Sequence, residues 1–434
     1  MSNSQDASRR QFLKTSAAAV SAAALANLDV ASVAHAAGSD IIRIGIVGCG
    51  GRCPGAAINA MSVDQGTRLV AMCDIIPERV KNQRASLKQQ KPNQVMVDDD
   101  HCFDGFDGYK KVIASCDVVL IANAAKFHPL HARDAIAAGK HVFVEKPHAI
   151  DPYGIKLLNA AAAMAKEKKL ALASGLHSRH DPRYIESIKR VHDGQIGDII
   201  SIEENFLRSP YGLYPRRPGM NEIPYQCSNQ YHFVWLSGDD VPQSLVHNMD
   251  RATWALKEQT PDKCHGLGGR STSIGEVYGN VFDHHSVVYE YAGGVRAYAL
   301  CRTIDGCYGN ADSIILGSKG QCITTQGRIL GQNPWVYKGP DANPYDIEHD
   351  VLFKSIRAGN PVNNGDYMAR STLICIMGQI SCYTGEEITW DRVSKSDFCF
   401  GPKPEDCSFD MAPPVKPDAN RVYPVYTPGK TRLL

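Results

Sequence analysis

Two side chains able to exchange protons with a bound molecule stand out in the 434-residue sequence. Lys146 lies near the end of the apolar run HVFVEKP, directly before Pro147, and His247 lies in the segment SLVHNMDRATWAL. A lysine where a buried strand ends can donate a hydrogen bond to a substrate oxygen or relay its proton. A histidine can serve as the base near neutral pH. These residues predict acid–base chemistry, with a surface lysine and a structural histidine as the alternatives.

His247 is predicted to lie on a helix. Leu245, Met249, Ala252 and further apolar residues recur at helical spacing in this segment. His247 and Asp250 are three positions apart, which places them on nearly the same helix face. Asp250 is therefore predicted to act together with His247.

A glycine turn earlier in the chain predicts a nucleotide site. The β-branched run IIRIGIVG ends in Gly48, and Gly50 and Gly51 follow before a helix-compatible stretch. In a strand, tight turn and helix of this kind, bare backbone amides and the helix N-terminus hold a pyrophosphate. Cys53 stands where the usual fingerprint has its third glycine, so the motif is incomplete. Glycine turns of this length also occur in proteins that bind no nucleotide.

An acidic residue at the end of the next strand strengthens the nucleotide prediction. The strand RLVAMCD ends at Asp74, 26 positions after Gly48. An acid at this place can accept both ribose hydroxyls and repel a 2′-phosphate, which favours NAD over NADP. The alternative is an ordinary helix N-cap ahead of Pro77.

The elements around these residues alternate between strand and helix. The strand DVVLIAN (117–123), the helical stretch from His128 to Gly139 and the strand HVFVEKP (141–147) continue the pattern. This order predicts an α/β fold with a doubly wound parallel sheet, a Rossmann domain over residues 37–175.

The pattern changes to strands after Gly197. The segments DIISIEENFL, HSVVYEYAGGVRAYALCRTI and DSIILGSKGQCIT read as strands, the second of them as a hairpin. They predict a second α/β domain over residues 176–390 with a large, mostly antiparallel sheet. Residues 391–434, rich in proline, are predicted to form an extended C-terminal tail.

Composition narrows the possible partners. The chain is 43% hydrophobic and 21% charged with a formal net charge of +1, which is ordinary for a globular enzyme and gives no sign of a nucleic-acid partner. Most of the 14 cysteines are predicted to be buried, with one or two disulfides left open. The histidine pairs His128 with His131 and His177 with His180 lack an obvious third ligand, so no metal site is predicted.

The N-terminus carries an export pattern. The segment SRRQFLK (8–14) precedes the apolar stretch from Ala17 to Val33 and the triplet Ala34, His35, Ala36. This layout is typical of a twin-arginine signal peptide over residues 1–36, and predicts export of the folded protein to the periplasm without a lasting membrane span. A first helix of the fold is the alternative.

The glycine turn, Asp74 and three further segments together resemble the Gfo/Idh/MocA family, to which glucose-fructose oxidoreductase and inositol dehydrogenase belong. The segments are 122–131, 138–147 with its Glu-Lys-Pro, and 246–250. The likeness runs from about Ile41 to Asp391. It implies an NAD(P)-dependent oxidoreductase acting on a sugar or polyol, with a second domain that covers the nicotinamide, and a homodimer or homotetramer.

The motifs and the resemblance assign roles to individual residues. Arginine and aromatic rings in RSPYGLYPRRPGM suit a polyhydroxylated substrate, with a structured surface loop as the alternative. The predicted catalytic residues are Lys146, His247 and Asp250; the predicted cofactor residues are Gly48, Gly50, Gly51, Arg52, Asp74, Asn123, His128, Glu145 and Lys146; the predicted substrate residues are Arg179, Tyr211, Tyr214 and His247.

One position departs from the family's pattern. The pattern has an aspartate four residues before the histidine, and Gln243 stands there, which cannot take a proton. Asp239 or Asp240, slightly upstream, is a hypothetical substitute for the missing carboxylate.

The export signal bears on the type of reaction. The periplasm supplies no nicotinamide cofactor, so NAD is expected to leave the cytoplasm trapped in the folded protein and to be regenerated in each turnover. Coupled oxidation and reduction of two sugars achieves this, and so does transient oxidation during glycoside cleavage. The Thr-His-Gly-Leu-Gly-Pro segment of related NAD-dependent glycosidases is absent, and CHGLGGR (264–270) shares only a few letters, which ranks the oxidoreductase first. A non-catalytic sugar-binding or scaffold protein is a further alternative.

Overall fold

A computed structural model of the protein describes residues 40–434. The predicted signal peptide, residues 1–36, lies outside the described residues. The elements below belong to one contact unit, Ile42–Leu434, and are built around two sheets.

The first sheet is parallel and has six strands in the order β3-β2-β1-β4-β5-β6. Its central strands are buried along most of their length, as expected for a parallel sheet covered by helices on both faces. The predicted doubly wound sheet is confirmed. Its strands are β1 (Ile42–Val47), β2 (Thr67–Asp74), β3 (Cys102–Asp104), β4 (Val118–Ile121), β5 (His141–Val144) and β6 (Leu172–Ser174), and its helices are α1 (Arg52–Val63), α2 (Pro77–Gln90), α3 (Gly108–Ser115), α4 (His128–Ala137) and α5 (Pro152–Lys168).

The second sheet has nine strands in the order β14-β13-β12-β11-β7-β10-β9-β8-β15. All neighbours are antiparallel except β7 and β10, which confirms the prediction of a mostly antiparallel sheet. Its strands are β7 (Ile199–Arg208), β8 (Lys263–Gly269), β9 (His284–Glu290), β10 (Arg296–Thr303), β11 (Ser313–Gly317), β12 (Gly320–Ile323), β13 (Arg328–Gly331), β14 (Trp335–Val336) and β15 (Ile388–Thr389).

Helices pack on the second sheet and between the two sheets. The segment Val241–Leu245 is π-helical and leads directly into the helix that carries His247. Alternate residues of β10, including Ala297 and Ala299, face the buried side of the sheet. The remaining helices are α6 (Pro182–His192), α7 (Glu222–Ser228), α8 (Val234–Ser237), α9 (Val246–Ala255), α10 (Pro344–Arg357), α11 (Gly365–Thr384) and α12 (Trp390–Lys395).

The C-terminal segment after α12 has almost no regular structure. Between residues 396 and 434 only a short helical turn, Pro404–Asp406, is formed. Phe400 and Tyr423 are nonetheless buried, so apolar side chains anchor this segment to the body. Eleven of the 14 cysteines are buried, and within residues 40–434 all 14 are free thiols. Across the same residues no helix has the length and hydropathy needed to cross a bilayer.

Candidate active site

The turn between β1 and α1 requires glycine at its first position. Gly48 has a φ of 102°, and a Cβ atom there would lie 2.8 Å from the backbone nitrogen of Asn123. The Gly48 N–H donates to the Cys73 carbonyl at 2.8 Å, which holds the turn against β2. A side chain is therefore excluded both by the backbone conformation and by the neighbouring chain.

The next two glycines leave the turn open. No atom lies within 4 Å of a Cβ added at Gly50 or Gly51, and α1 begins at Arg52 with Gly51 as its N-cap. Backbone amides and the positive end of a helix dipole thus face open space, an arrangement that suits a phosphate group. Cys53 is buried, and its thiol donates to the Leu120 carbonyl at 3.3 Å, so its side chain fills the space between α1 and the sheet.

Asp74 lies beside this turn at the end of β2. Its carboxylate accepts hydrogen bonds from the Cys49 N–H at 2.6 Å and the Ile76 N–H at 2.9 Å. Burial raises the pKa of Asp74, although these N–H donors act in the opposite direction. The carboxylate is thereby fixed in the wall of the cleft that begins at the glycine turn.

Two adjoining cavities occupy the carboxyl ends of the parallel strands. The first has a volume of about 330 Å³ and runs from the glycine turn past Asp74 to Tyr109. The second has a volume of about 190 Å³ and contains Lys146 and His247. Five residues line both cavities and form the wall that they share: Arg52, Ala122, Asn123, Gln230 and Tyr231.

Arg52 in this shared wall is bound by two buried carboxyl groups. Its Nε donates to Glu145, and its Nη2 donates to Glu348 Oε1 at 3.1 Å. Burial alone would raise the pKa of Glu145, but the charges of Arg52 and Lys146 hold that pKa below its usual value. Burial and the nearby Glu145 raise the pKa of Glu348. The negative charge of the pair is therefore favoured on Glu145 over Glu348.

Lys146 reaches the second cavity from the end of β5. Its Nζ donates to the Gln243 backbone carbonyl at 2.8 Å, and its backbone N–H donates to Glu145 Oε2 at 3.0 Å. An ammonium group has three N–H donors, and this carbonyl uses one of them. The others are available to an oxygen atom in the cavity.

Two histidines line the same cavity. The rings of His177 and His247 lie 4.9 Å apart, and among the described residues neither Nδ1 has a hydrogen-bond partner although both are buried. Burial lowers the pKa of His177 to about 4 and lowers that of His247 well below its usual value. Burial thus favours the uncharged form of both rings.

Comparison with known proteins identifies the fold and the first domain. A model described as an oxidoreductase family with an NAD-binding Rossmann fold, Gfo/Idh/MocA, matches residues 42–175. These residues form the Rossmann domain that the family model describes. The β1–α1 turn and Asp74 fit its cofactor, since open space lies in front of the bare amides and an acid stands at the ribose position.

Curated relatives of this chain carry two kinds of name. A Bacteroides fragilis protein named glycosyl hydrolase family 109 protein 1 is 27% identical over 337 residues, 75% of this chain and 65% of that relative. An inositol 2-dehydrogenase from Acidothermus cellulolyticus is 26% identical over 235 residues, 54% of this chain and 59% of the relative. The chain thus matches less than two thirds of the length of these relatives.

Solved structures share the fold over most of this chain. The aldose-aldose oxidoreductase of Caulobacter crescentus, complexed with glycerol, superposes with a TM-score of 0.62 at 18% identity, covering 80% of this chain and 99% of that one. The scyllo-inositol dehydrogenase of Lactobacillus casei with bound NAD(H) and scyllo-inositol gives a TM-score of 0.59 at 19% identity, with the same coverage.

The structure brings together only some of the predicted site residues. Tyr211 lines the second cavity with Lys146 and His247, whereas Tyr214 lines the first. His128 borders the second cavity, but both of its ring nitrogens lie within hydrogen-bond distance of backbone carbonyls, those of Pro147 and Asn123. Its ring therefore has no free nitrogen for a cofactor.

Arg179 and Asp250 lie outside both cavities, unlike the catalytic and substrate roles predicted for them. The guanidinium donates to both oxygens of Asp250, at 2.8 and 2.9 Å, and also to Glu258. Ser371 donates to the same carboxylate at 2.8 Å. Because this ion pair occupies both oxygens of a fully buried carboxylate, the geometry assigns the two residues to holding α9 in place.

Asp239 and Asp240, the hypothetical substitutes for the missing carboxylate, also lie outside the cavity that contains Lys146. Asp239 accepts from the Phe282 N–H at 2.8 Å and from the Tyr383 hydroxyl. Asp240 is bound by Arg208 and Ser244. Neither lines the cavity with Lys146, so within residues 40–434 no aspartate of that cavity replaces the missing carboxylate.

Three residues to which the sequence analysis gave no catalytic, cofactor or substrate role complete the second cavity. His177 follows the end of β6, and the rule that pointed to Lys146 applies to it equally, since both stand after parallel strands. Tyr345, whose ring lies 4.6 Å from that of His177, and Tyr231 come from distant segments. No local pattern in the sequence marks the two tyrosines.

Two substitutions should separate the two roles of the glycine turn. We expect Gly48→Ala to destabilise the protein by about 2 kcal/mol or more, because its positive φ and the 2.8 Å approach both oppose a Cβ. Gly50→Ala should leave stability near that of the wild type and weaken NAD binding, because its Cβ projects into the open cleft. Thermal unfolding without nucleotide and NAD titration measure the two effects. Equal thermal stability of the two variants would contradict this assignment.

Removal of the Arg52 guanidinium should destabilise the fold. Arg52→Met leaves Glu145 and Glu348 buried without their cation, and we expect a loss of about 3–5 kcal/mol of unfolding free energy at pH 7. The loss should shrink as the pH falls, because the lowered pKa of Glu145 stabilises the native state only where that carboxyl is ionised.

A surface ion pair supplies the matched control for Arg52. Arg43, whose side chain is 51% exposed, pairs with Asp117 at 2.7 Å. We expect Arg43→Met to lower the unfolding free energy by about 0–1 kcal/mol. Urea denaturation at pH 7 and pH 4 measures both variants, and similar losses in the two would contradict the role of Arg52.

Proposed function

We propose that this chain is an NAD-dependent oxidoreductase that moves a hydride between a CH–OH carbon of a sugar or polyol and a tightly bound nicotinamide. The observation that carries the proposal is the shared wall: a cavity with proton-exchanging side chains adjoins the dinucleotide cleft directly. The names of the dehydrogenase relatives and structural neighbours support the same class of substrate.

Lys146 and His247, which line the second cavity, have separate roles in the proposed reaction. NAD, when bound, supplies the hydride acceptor and donor. Lys146 holds the substrate hydroxyl oxygen through an N–H donor. His247, which lines the same cavity, accepts the hydroxyl proton during oxidation and returns it during reduction.

A second candidate is glycoside cleavage assisted by transient oxidation. The names of several curated relatives, glycosyl hydrolase family 109 proteins, favour it. This reaction uses the same cavity, because oxidation of a ring carbon acidifies the neighbouring C–H and needs a base within reach. Two of the rings lining the cavity are neutral histidines that can serve as that base.

Export through the twin-arginine route is part of the proposal. The segment SRRQFLK, the apolar stretch after it and the Ala34-His35-Ala36 triplet support it. On this proposal NAD binds before export, stays with the protein in the periplasm, and is restored within each catalytic cycle.

Association into homodimers or homotetramers is also proposed. The outer face of the second sheet carries exposed apolar side chains on alternate strands, among them Leu267 on β8, Tyr298 on β10 and Leu316 on β11. Light scattering on the purified protein tests the proposal, and a monomer at micromolar concentration would contradict it.

The first experiment is to denature the purified mature protein, without added nucleotide, and measure the released NAD(H) and NADP(H) per chain. We expect close to one NAD per chain. The loaded protein is then mixed with single sugars, with pairs of sugars and with aryl glycosides, while nicotinamide absorbance and products are followed. Absence of nucleotide together with no binding on titration would contradict the oxidoreductase, and products from glycosides alone would favour the second candidate.

A further inference from the structure

Tyr211 in the second cavity is bound to a buried set of polar side chains, here called the Arg208 network. Its hydroxyl lies 3.1 Å from Ser244 Oγ, and Ser244 lies 2.6 Å from Asp240 Oδ1. Arg208 Nη2 contacts both, at 2.7 Å from Asp240 Oδ1 and 3.0 Å from Ser244 Oγ. Ser244 is fully buried and Asp240 is 6% exposed. The network comprises Arg208, Tyr211, Asp240 and Ser244.

The chemistry of these groups fixes the direction of every hydrogen bond. The Asp240 carboxylate, paired with Arg208, can only accept. Ser244 has a single hydroxyl proton, and at 2.6 Å that proton must lie between Ser244 and Asp240. The Ser244 oxygen therefore accepts from Arg208 and from the Tyr211 hydroxyl, which uses both of its lone pairs.

The Tyr211 proton consequently points out of the cavity, toward Ser244. A lone pair is what the Tyr211 oxygen can then offer to a molecule in the cavity that Tyr211 lines. The ring cannot easily turn to change this, because the Arg208 guanidinium lies 3.6 Å from its centre and the Tyr231 ring stacks on it at 4.2 Å with an angle of 17°.

We propose that Tyr211 selects the substrate by accepting a hydrogen bond from one of its hydroxyl groups. The inference rests on the proposed function, in that a carbohydrate enters this cavity. A free hydroxyl at the matching position satisfies the Tyr211 lone pair. An ether or carbonyl oxygen there brings two acceptors together, and a deoxy carbon leaves the Tyr211 lone pair unsatisfied.

The direction of the hydrogen bond can be measured without any substrate. Tyrosine labelled with ¹³C at Cζ gives two resolved signals in mixed H₂O and D₂O when its hydroxyl exchanges slowly, as in a buried hydrogen bond. We expect two signals for Tyr211, assigned by Tyr211→Phe, and one averaged signal after Ser244→Ala. Exposed Tyr214 should give one averaged signal throughout. A single Tyr211 signal in the wild type, or two that survive Ser244→Ala, would overturn the assigned direction.

Selectivity is tested by calorimetric titration of the NAD-loaded protein. The probes are D-glucose, D-galactose and myo-inositol, each compared with its mono-O-methyl ethers. For a sugar that binds, we expect methylation at one position to weaken binding by about ten-fold or more through an acceptor–acceptor contact. This penalty should largely disappear in Tyr211→Phe, which has no hydroxyl oxygen.

Asp240→Asn is the matched control, because an amide oxygen can keep both hydrogen bonds at the Oδ1 position and preserve the direction of the network. It should retain the methylation penalty. A penalty that is equal in the wild type and Tyr211→Phe would overturn the inference while leaving the proposed function intact. If no sugar bound at all, the selectivity and the proposed function would both fall.

Discussion

Replacing Lys146 by methionine should lower the rate of hydride transfer by about 10²–10⁴-fold while the protein keeps its fold and its NAD. Methionine is similar in length to lysine and lacks its ammonium group. Under the proposed mechanism, loss of this group removes the donor for the substrate oxygen in the second cavity. The glycine turn and Asp74, which are predicted to hold the dinucleotide, are unaffected by the change.

The experiment compares single-turnover nicotinamide absorbance, released NAD per chain and thermal unfolding for the wild type and Lys146→Met. Lys166→Met on the exposed face of α5 is the control and should match the wild type in all three. Retention of full activity by Lys146→Met would remove this lysine from the mechanism. If the wild type and Lys146→Met bound sugar at the same rate and neither turned it over, the result would point to a sugar-binding protein.

Acidification should destabilise the protein strongly, because eight buried or largely buried histidines have lowered pKa values. Burial disfavours their charged forms in the folded state, whereas in the unfolded chain they titrate near their usual pKa of about 6.5. The unfolded state therefore binds more protons below that pH. The histidines are His128, His131, His148, His177, His180, His232, His247 and His349.

The sign of the effect follows from the direction of these shifts. The unfolding free energy should fall as the pH drops below about 6.5, by about 1.4 kcal/mol per pH unit for each histidine that titrates only in the unfolded chain. The raised pKa values of Asp74, Glu204 and Glu348 act in the opposite direction, so the net proton uptake is below eight.

Urea denaturation between pH 7.5 and pH 4.5 measures how the unfolding free energy changes with pH. This range extends about one unit above and about two units below the histidine pKa in the unfolded chain. His177→Gln should reduce the slope by about one proton between pH 6 and pH 5, since the folded pKa of His177 is about 4. His265→Gln, an exposed residue, is the control. A pH-independent unfolding free energy over this range would contradict the prediction.

Local patterns in the sequence were sufficient to predict the first sheet and the predicted site residues at the carboxyl ends of its strands. The glycine turn, Asp74 and Lys146 each stand at a strand end, and parallel strands bring their carboxyl ends to one edge of the sheet. Hydrophobic patterning also predicted the second sheet, because alternation along strands such as β10 follows from one buried face. These features depend on residues close together in the chain.

The pairing of polar side chains that lie far apart in the sequence could not be predicted from such local patterns. Arg179 and Asp250 are 71 positions apart, and only the folded chain shows that they bind each other instead of a substrate. Tyr345 enters the cavity from α10, far along the chain from Lys146. Helical spacing correctly placed His247 and Asp250 on one helix, but it carried no information on which neighbouring element each side chain would meet.

The wall shared by the two cavities limits how this protein can be re-engineered. Arg52, Asn123 and Tyr231 each border both volumes, so a substitution at these positions alters cofactor retention and sugar preference together. Tyr211, His177 and Tyr345 border only the smaller volume. A mutant library aimed at new sugars should therefore vary these three positions and keep the shared wall constant, so that selection for a new substrate does not also select for loss of the nucleotide.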